Sequence, residues 1–201
     1  MRRLRTQKNP KLLPLNRITR RSHFVLKTNL SVPFEKAGAA AAKSRLGKQL
    51  DPVCRRELIE GFNRAGADEG TLWIADLNGY RLIPIFNSGP ESAEFVEKFR
   101  QPLDRGVVSM VFNSGQPFCE NEVYKSSGHD DTVDKELGQV TAAMIATPLF
   151  FANELRGVVS CVKLGKGEFE VGDLDSMQHT VVILERLLDW ALLQTITDLA
   201  D

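Results

Sequence analysis

The sequence predicts an α+β domain, with a central antiparallel sheet, helices on both faces and a long C-terminal helix. Three observations carry that expectation. Two apolar hairpins, "GTLWIADLNGYRLIPIF" and "AMIATPLFFANELRGVVSCV", each join two strand-like runs across a short turn. Between them lie only short helical patterns, too few to supply the crossovers that a parallel sheet needs. One long amphipathic pattern closes the chain, with Leu174, Met177, Val181, Leu184, Leu188, Ala191 and Leu192 at helical spacing.

Charge divides the chain in two. Thirteen of the 26 Lys and Arg fall at or before Leu50, but only one of the 26 Asp and Glu, Glu35. The formal net charge of +0 is therefore a basic arm set against an acidic domain. Residues 1–33 contain no acid and are broken by Pro10, Pro14 and Pro33. Like charges repel and prolines interrupt helices, so an extended, solvated arm is expected. The alanine-rich "EKAGAAAAKSRLGKQ" then reads as a linker able to become helical. The arm and linker occupy residues 1–49 and the folded domain residues 50–201. So basic an arm would attract nucleic acid or an acidic partner through counterion release. The commoner fate of such a segment is a solvated tail.

Within the domain, Leu50, Cys54, Leu58 and Phe62 stand four apart, which predicts a helix over 50–65 closed by Gly66. In the first hairpin, Leu77-Asn78-Gly79 supplies the positive φ angles of a tight turn. A short helix follows, with Phe95 and Phe99 on one face. Gly106 opens another, carrying Val107, Val108, Val111 and Phe112 and ending at Ser114-Gly115 before a strand at Phe118. The stretch "YKSSGHDDTVDKELG" is loop-like, with a brief helix over 132–138. The second hairpin has the polar interruption Ala152-Asn153-Glu154-Leu155-Arg156 and carries Pro148 inside its first strand. Proline cannot donate to a ladder, so Pro148 predicts a bulge or a strand edge.

Hydrophobic residues make up 42% of the chain, enough for a full core. The three cysteines, Cys54, Cys119 and Cys161, lack Cys-x-x-Cys spacing and give neither a disulfide framework nor a zinc template. No apolar run approaches the ~20 residues that span a bilayer. Residues 1–14 also lack the apolar stretch of a secretory signal. A cytoplasmic location, no membrane span and no metal site are the expectations.

Three stretches, in order, resemble a GAF domain. "DRGVVSMVFNSGQPFCEN" resembles the family's Gly-initiated helix and small-Gly-Gln-Pro turn. "AAMIATPLFFANELRGVVSCVKL" resembles its paired strands with a Pro-Leu dipeptide and a Gly-Val opening. "GEFEVGDLDSMQHTVVIL" resembles its Phe-then-Asp lead into the closing helix. The likeness runs from about residue 50 to the C-terminus. It implies a sensory module that binds a small molecule, or only dimerises, and signals to a separate partner. Family members bind cyclic nucleotides, haem, bilins, metals or small organic molecules, so the resemblance names no single cofactor.

Each branch of the family imposes residue requirements. Cyclic-nucleotide members carry Asn-Lys…Phe-x-x-x-Asp-Glu, where this chain has Val162-Lys163…Phe169…Asp173-Leu174. The resemblance implies a Lys163–Asp173 ion pair clamping the last strand to the final helix, with Phe169 plugging the core. The enzymatic branch, free methionine sulfoxide reductase, needs pocket cysteines. This chain has Gly106-Val107-Val108-Ser109 and Gly128-His129-Asp130-Asp131-Thr132 at those places. A sulfoxide cannot be reduced without a nucleophilic thiolate, so no enzyme is expected.

By resemblance and strand alternation, the ligand pocket is expected between the sheet and the helices from Gly106 to Gly138. Its lining would be Phe86, Val108, Val111, Phe118, His129, Asp131, Asp134, Met144 and Thr147, apolar members holding the ligand body and polar ones orienting it. The terminal helix over 173–199 has more apolar surface than one stripe, since Val182, Ile183, Leu187, Trp190, Leu193 and Ile196 add to the core face. A homodimer through the terminal helices would cover the excess.

Overall fold

The computed structural model describes residues 50–76, 78, 80–125 and 140–198, the last four without side chains. The basic arm and the brief helix expected over 132–138 lie outside the described residues. The first helix, α1 (Pro52–Arg64), begins where Asp51 accepts the Val53 amide at 2.7 Å and Pro52 fixes the first turn. Gly66, at φ +61°, then turns the chain out of the helix.

Six antiparallel strands follow among the described residues: β1 (Glu69–Asp76), β2 (Arg81–Asn87), β3 (Gln101–Pro102), β4 (Phe118–Glu120), β5 (Thr141–Phe151) and β6 (Glu154–Leu164). Their order in the sheet is β3-β2-β1-β6-β5-β4, so the two hairpins meet at its centre. Between strands lie α2 (Ser92–Lys98) and α3 (Val107–Ser114), and the chain ends on α4 (Asp173–Asp198). No helix among the described residues is long and apolar enough to cross a membrane.

Each face of the sheet buries its own layer. Under α1 and α4 the core contains Leu58, Phe62, Leu72, Ile145, Leu149, Val159, Met177, Val181, Leu184 and Leu188. Under α2 and α3 it contains Trp73, Leu82, Phe95, Val107, Val108, Val111, Ala146 and Val158. The neighbours Val158 and Val159 serve opposite layers, as period-two alternation requires. Gly157 is demanded by close packing, because a Cβ there would sit 2.1 Å from the Trp73 carbonyl oxygen.

The second hairpin turns more tightly than its polar interruption implies. Only Ala152 and Asn153 form the turn, at φ +49° and +63°, whereas Glu154, Leu155 and Arg156 belong to β6. Two successive positive φ angles give the turn whose twist matches antiparallel strands. Arg156 is accordingly buried, donating to the Phe151 carbonyl at 3.2 Å and pairing with Glu154 at 2.8 Å.

Pro148 lies where the sequence analysis expects a proline. β4 pairs with β5 only from Met144 to Ala146, so Pro148 is past the end of that partner, and a register shift follows at Leu149/Phe150. Pro84 in β2 is placed alike, because β3 pairs only with Arg81 and Leu82.

The expected Lys163–Asp173 ion pair is not formed. The Lys163 ammonium lies 5.1 Å from the centre of the Phe169 ring, while Asp173 turns back to accept the Glu170 amide at 2.7 Å. Phe169 is buried as expected. Its backbone is held instead by Asn121, whose side chain donates to the Phe169 carbonyl at 3.0 Å and accepts its amide at 2.8 Å.

Candidate functional site

The layer under α3 is built by two glycines and one aromatic stack. Gly106, at φ +83°, starts α3, and Gly115, at φ +62°, stops it one turn after Val111. Within those limits Val107, Val108 and Val111 face the sheet, and Val111 is fully buried. On the sheet, Trp73 meets Phe95 edge-on at 5.6 Å, and Phe95 stacks on Phe99 at 4.6 Å. The rim consists of half-buried Phe112, Phe118 and Met144.

Several polar groups of this layer are committed to one another. Trp73 Nε1 donates to Ser160 Oγ at 2.9 Å, Ser109 Oγ to the Pro102 carbonyl at 2.6 Å, and Asn113 Nδ2 to the Leu103 carbonyl at 2.8 Å. The first bond ties β1 to β6, and the other two fix α3 against Pro102 and Leu103. The surface they leave is apolar and aromatic.

Of the nine residues that the sequence analysis places in the pocket, Val108, Val111, Phe118 and Met144 come together on this layer. Phe86 and Thr147 do not. Phe86 packs in the layer under α1, with the Arg55 guanidinium 5.7 Å from its ring centre. The cause is the register shift that pairs Leu72 with Phe86 but Trp73 with Pro84, since one extra residue reverses which face all later side chains meet. Thr147 pairs with Val159, between Ile145 and Leu149, and so shares their layer under α4. It is three residues from Met144, an odd spacing that puts the two on opposite faces of a regular strand. The Thr147 hydroxyl is buried without a hydrogen-bond partner. His129, Asp131 and Asp134 lie outside the described residues.

Trp73, Phe95 and Ser160 belong to this layer but are not among the nine pocket residues expected from the sequence. Alternation along "GTLWIAD" could have found Trp73, whereas its bond to Ser160 joins two strands 87 residues apart.

The thiols do not form a reactive site. Burial pushes Cys161 up to about 12 and Cys54 up to about 11. Cys119 is exposed, yet partial desolvation and then the charges of Asp173 and Glu120 also raise its pKa. At neutral pH all three are overwhelmingly thiols. Among the described residues, no three His, Cys, Asp or Glu side chains gather to hold a metal ion.

No family model matches the sequence. The alpha′ subunit of the bovine cone cGMP-specific 3′,5′-cyclic phosphodiesterase is 36% identical over 194 residues, which covers 81% of this chain. The match covers 23% of that enzyme, so the chain spans under a quarter of its length. Among solved structures, the GAF domain of a Coxiella burnetii phosphoenolpyruvate-protein phosphotransferase superposes with a TM-score of 0.61 at 16% identity, covering 84% of this chain and 99% of that one. The free methionine-R-sulfoxide reductase of Neisseria meningitidis, solved with its substrate, superposes at 0.55 and 17% identity, covering 84% of this chain and 95% of the enzyme. The strand order, the helices on both faces and these superpositions agree, and the chain carries a single GAF domain.

Proposed function

We propose that the domain is a non-catalytic sensor that binds a small molecule between α3 and the sheet and passes the signal to a separate protein. The observation that carries this reading is the apolar layer with its half-buried rim of Phe112, Phe118 and Met144. An apolar floor with a few convergent polar groups is the usual form of a small-molecule site. His129, Asp131 and Asp134 would supply the polar groups. The cGMP in the name of the bovine relative makes cyclic nucleotides the first compounds to try. Against them stand Val162 and Leu174, which replace the motif's Asn and Glu, and the unformed Lys163–Asp173 pair.

The non-catalytic assignment rests on Val108 and Ser109 in the segment where the sulfoxide reductases carry a cysteine. Ser109 is also fully buried and bonded to Pro102. Denaturant unfolding should be followed with cGMP, cAMP, free methionine sulfoxide, amino acids and haem in turn. A raised midpoint with one compound, abolished by Val111→Trp, supports the pocket. No shift with any compound leaves a scaffold and sinks the sensor reading, and consumption of methionine sulfoxide under reducing conditions sinks the non-catalytic one.

A homodimer through the terminal helices is part of the same proposal. On α4, Trp190 is 63% exposed, Val182 44% and Leu193 41%, a grouping of the kind that a second copy covers. Leu187 packs against its own core, so it does not belong to this surface. Trp190→Glu/Leu193→Glu is the variant that should turn a sedimenting dimer into a monomer; a wild type that is monomeric at high micromolar concentration refutes it.

A further inference from the structure

β5 is longer than its outer neighbour. β4 pairs with it only as far as Ala146, so the outer edge from Thr147 onward has no strand beside it among the described residues. Pro148 brings no donor to that edge. The next donors there are taken by α4: the Phe150 amide donates to Glu185 Oε1 at 2.7 Å and the Ala152 amide to Asp189 Oδ1 at 2.8 Å. Four residues of helix rise ~6 Å and two residues of strand ~6.6 Å, so carboxylates one helical turn apart match alternate strand amides. Two acids of α4 thus take the place of an edge strand.

We propose that this junction is a proton-controlled latch, in which Glu185 holds α4 against β5 most tightly when protonated and less tightly when ionised. A protonated carboxyl still accepts the Phe150 amide through its carbonyl oxygen. It carries no charge to desolvate and none to repel Asp189. Charged groups stand around the junction on several elements. β5 has no titratable side chain. From α1, Arg64 reaches α4 at Thr180, more than a turn before Glu185, and is also bound to Glu57. From β6, Arg156 donates to the Phe151 carbonyl and pairs with Glu154. On α4 itself stand Asp189, the neighbouring Arg186 and, further back, the exposed His179. Burial is the main force pushing the Glu185 carboxyl up, to about 7; the Phe150 amide opposes it and the Asp189 charge adds to it.

The direction of the pH effect follows. The folded protein holds this proton more firmly than the unfolded chain does. The stability that Glu185 contributes is therefore fully present below the ordinary glutamate range, lost as pH rises through about 7, and level above that.

The test is amide exchange and NMR titration of the full chain from pH 5 to 8.5, for the wild type, Glu185→Gln and Asp189→Asn. In the wild type, the Phe150 amide resonance should titrate with a midpoint near 7. Protection of the Phe150 and Ala152 amides, corrected for intrinsic exchange, should fall by about a hundredfold across that range, tenfold for each pH unit between pH 5 and a midpoint near 7. Glu185→Gln, whose amide carbonyl mimics the protonated acid, should keep the low-pH protection throughout and lose the titration. Asp189→Asn should move the midpoint down. The chain also carries three histidines, so the latch is read from the difference between wild type and Glu185→Gln. A Glu185→Gln protein that keeps the wild-type pH dependence overturns the proposal. So does a wild-type Phe150 midpoint below pH 5.5, a result that needs no variant.

Discussion

Gly61→Ala tests whether the α1–α4 seam depends on close helix contact. A Cβ at position 61 would lie 2.3 Å from Thr180 Cγ2, 2.6 Å from its Oγ1 and 2.9 Å from its Cβ. Thr180 cannot swing aside, because it is fully buried and its hydroxyl is bonded on both sides. It donates to the Ser176 carbonyl at 3.1 Å and accepts from Arg64 at 3.0 Å. The helices must therefore separate, and overpacking of this kind costs about 1–3 kcal/mol. Alanine returns about 1 kcal/mol of helix propensity. The clash wins, leaving a net loss of about 1–2 kcal/mol. Guanidinium unfolding should show a lower midpoint at unchanged slope. Thr180→Ala alone should also destabilise, by removing a buried methyl and a bonded hydroxyl. In Gly61→Ala/Thr180→Ala the two closest contacts disappear together, so the double variant should be more stable than additivity allows by about 1 kcal/mol. A Gly61→Ala protein as stable as the wild type, or strict additivity in the double, refutes the close-contact argument.

Three further outcomes follow from single contacts. Gly157→Ala should be worse than Gly61→Ala, costing about 3 kcal/mol or more, because the new Cβ meets the Trp73 backbone at 2.1 Å in a central strand that cannot yield; a midpoint within error of the wild type would contradict this. Asn121→Ala should cost about 1–3 kcal/mol, since it removes both partners of the Phe169 backbone, and the Phe169 amide should lose exchange protection. Thiol alkylation of the native protein at pH 7 should modify Cys119 alone, with Cys54 and Cys161 reacting only after unfolding, because burial holds their thiols up at about 11 and 12. Modification of all three at equal rates in the native state would show that the core opens far more readily than the packing implies.

The parts of the fold legible in the sequence are those written in local pattern. The spacing of Leu50, Cys54, Leu58 and Phe62 with Gly66 marks α1, Gly106 and Gly115 mark the ends of α3, and two apolar hairpins give four central strands. What escaped depends on register. The shift at Leu72/Trp73 turns Phe86 away from the face of Leu82 and Trp73, and no composition rule marks where an extra residue is inserted. Thr147 stands apart from Met144 because their odd spacing along β5 puts them on opposite faces. The Lys163–Asp173 pair failed for another reason. Each partner found a local alternative, the Phe169 ring and the Glu170 amide, and Asn121 took over the clamp from 48 residues away.

The apolar excess of α4 shows how a correct total can mislead about its distribution. One stripe of this helix, Met177, Val181, Leu184, Leu188 and Leu192, fills the core as an amphipathic helix should. A second line, Thr180, meets Gly61 and seats α1, while Glu185 and Asp189 hold the edge of β5. Leu187, counted in the sequence as surplus, packs on its own domain, and Ile183 is half-buried. Among the residues whose side chains are described, the surplus thus contracts to Val182, Trp190 and Leu193, with Ile196 lying outside them. That contraction decides which experiment is informative. A charge at Leu187 would disturb the monomer's core and lower stability whether or not a dimer exists. A charge at Trp190, already 63% exposed, leaves the monomer nearly untouched, so any change in its mass in solution reports on the interface itself.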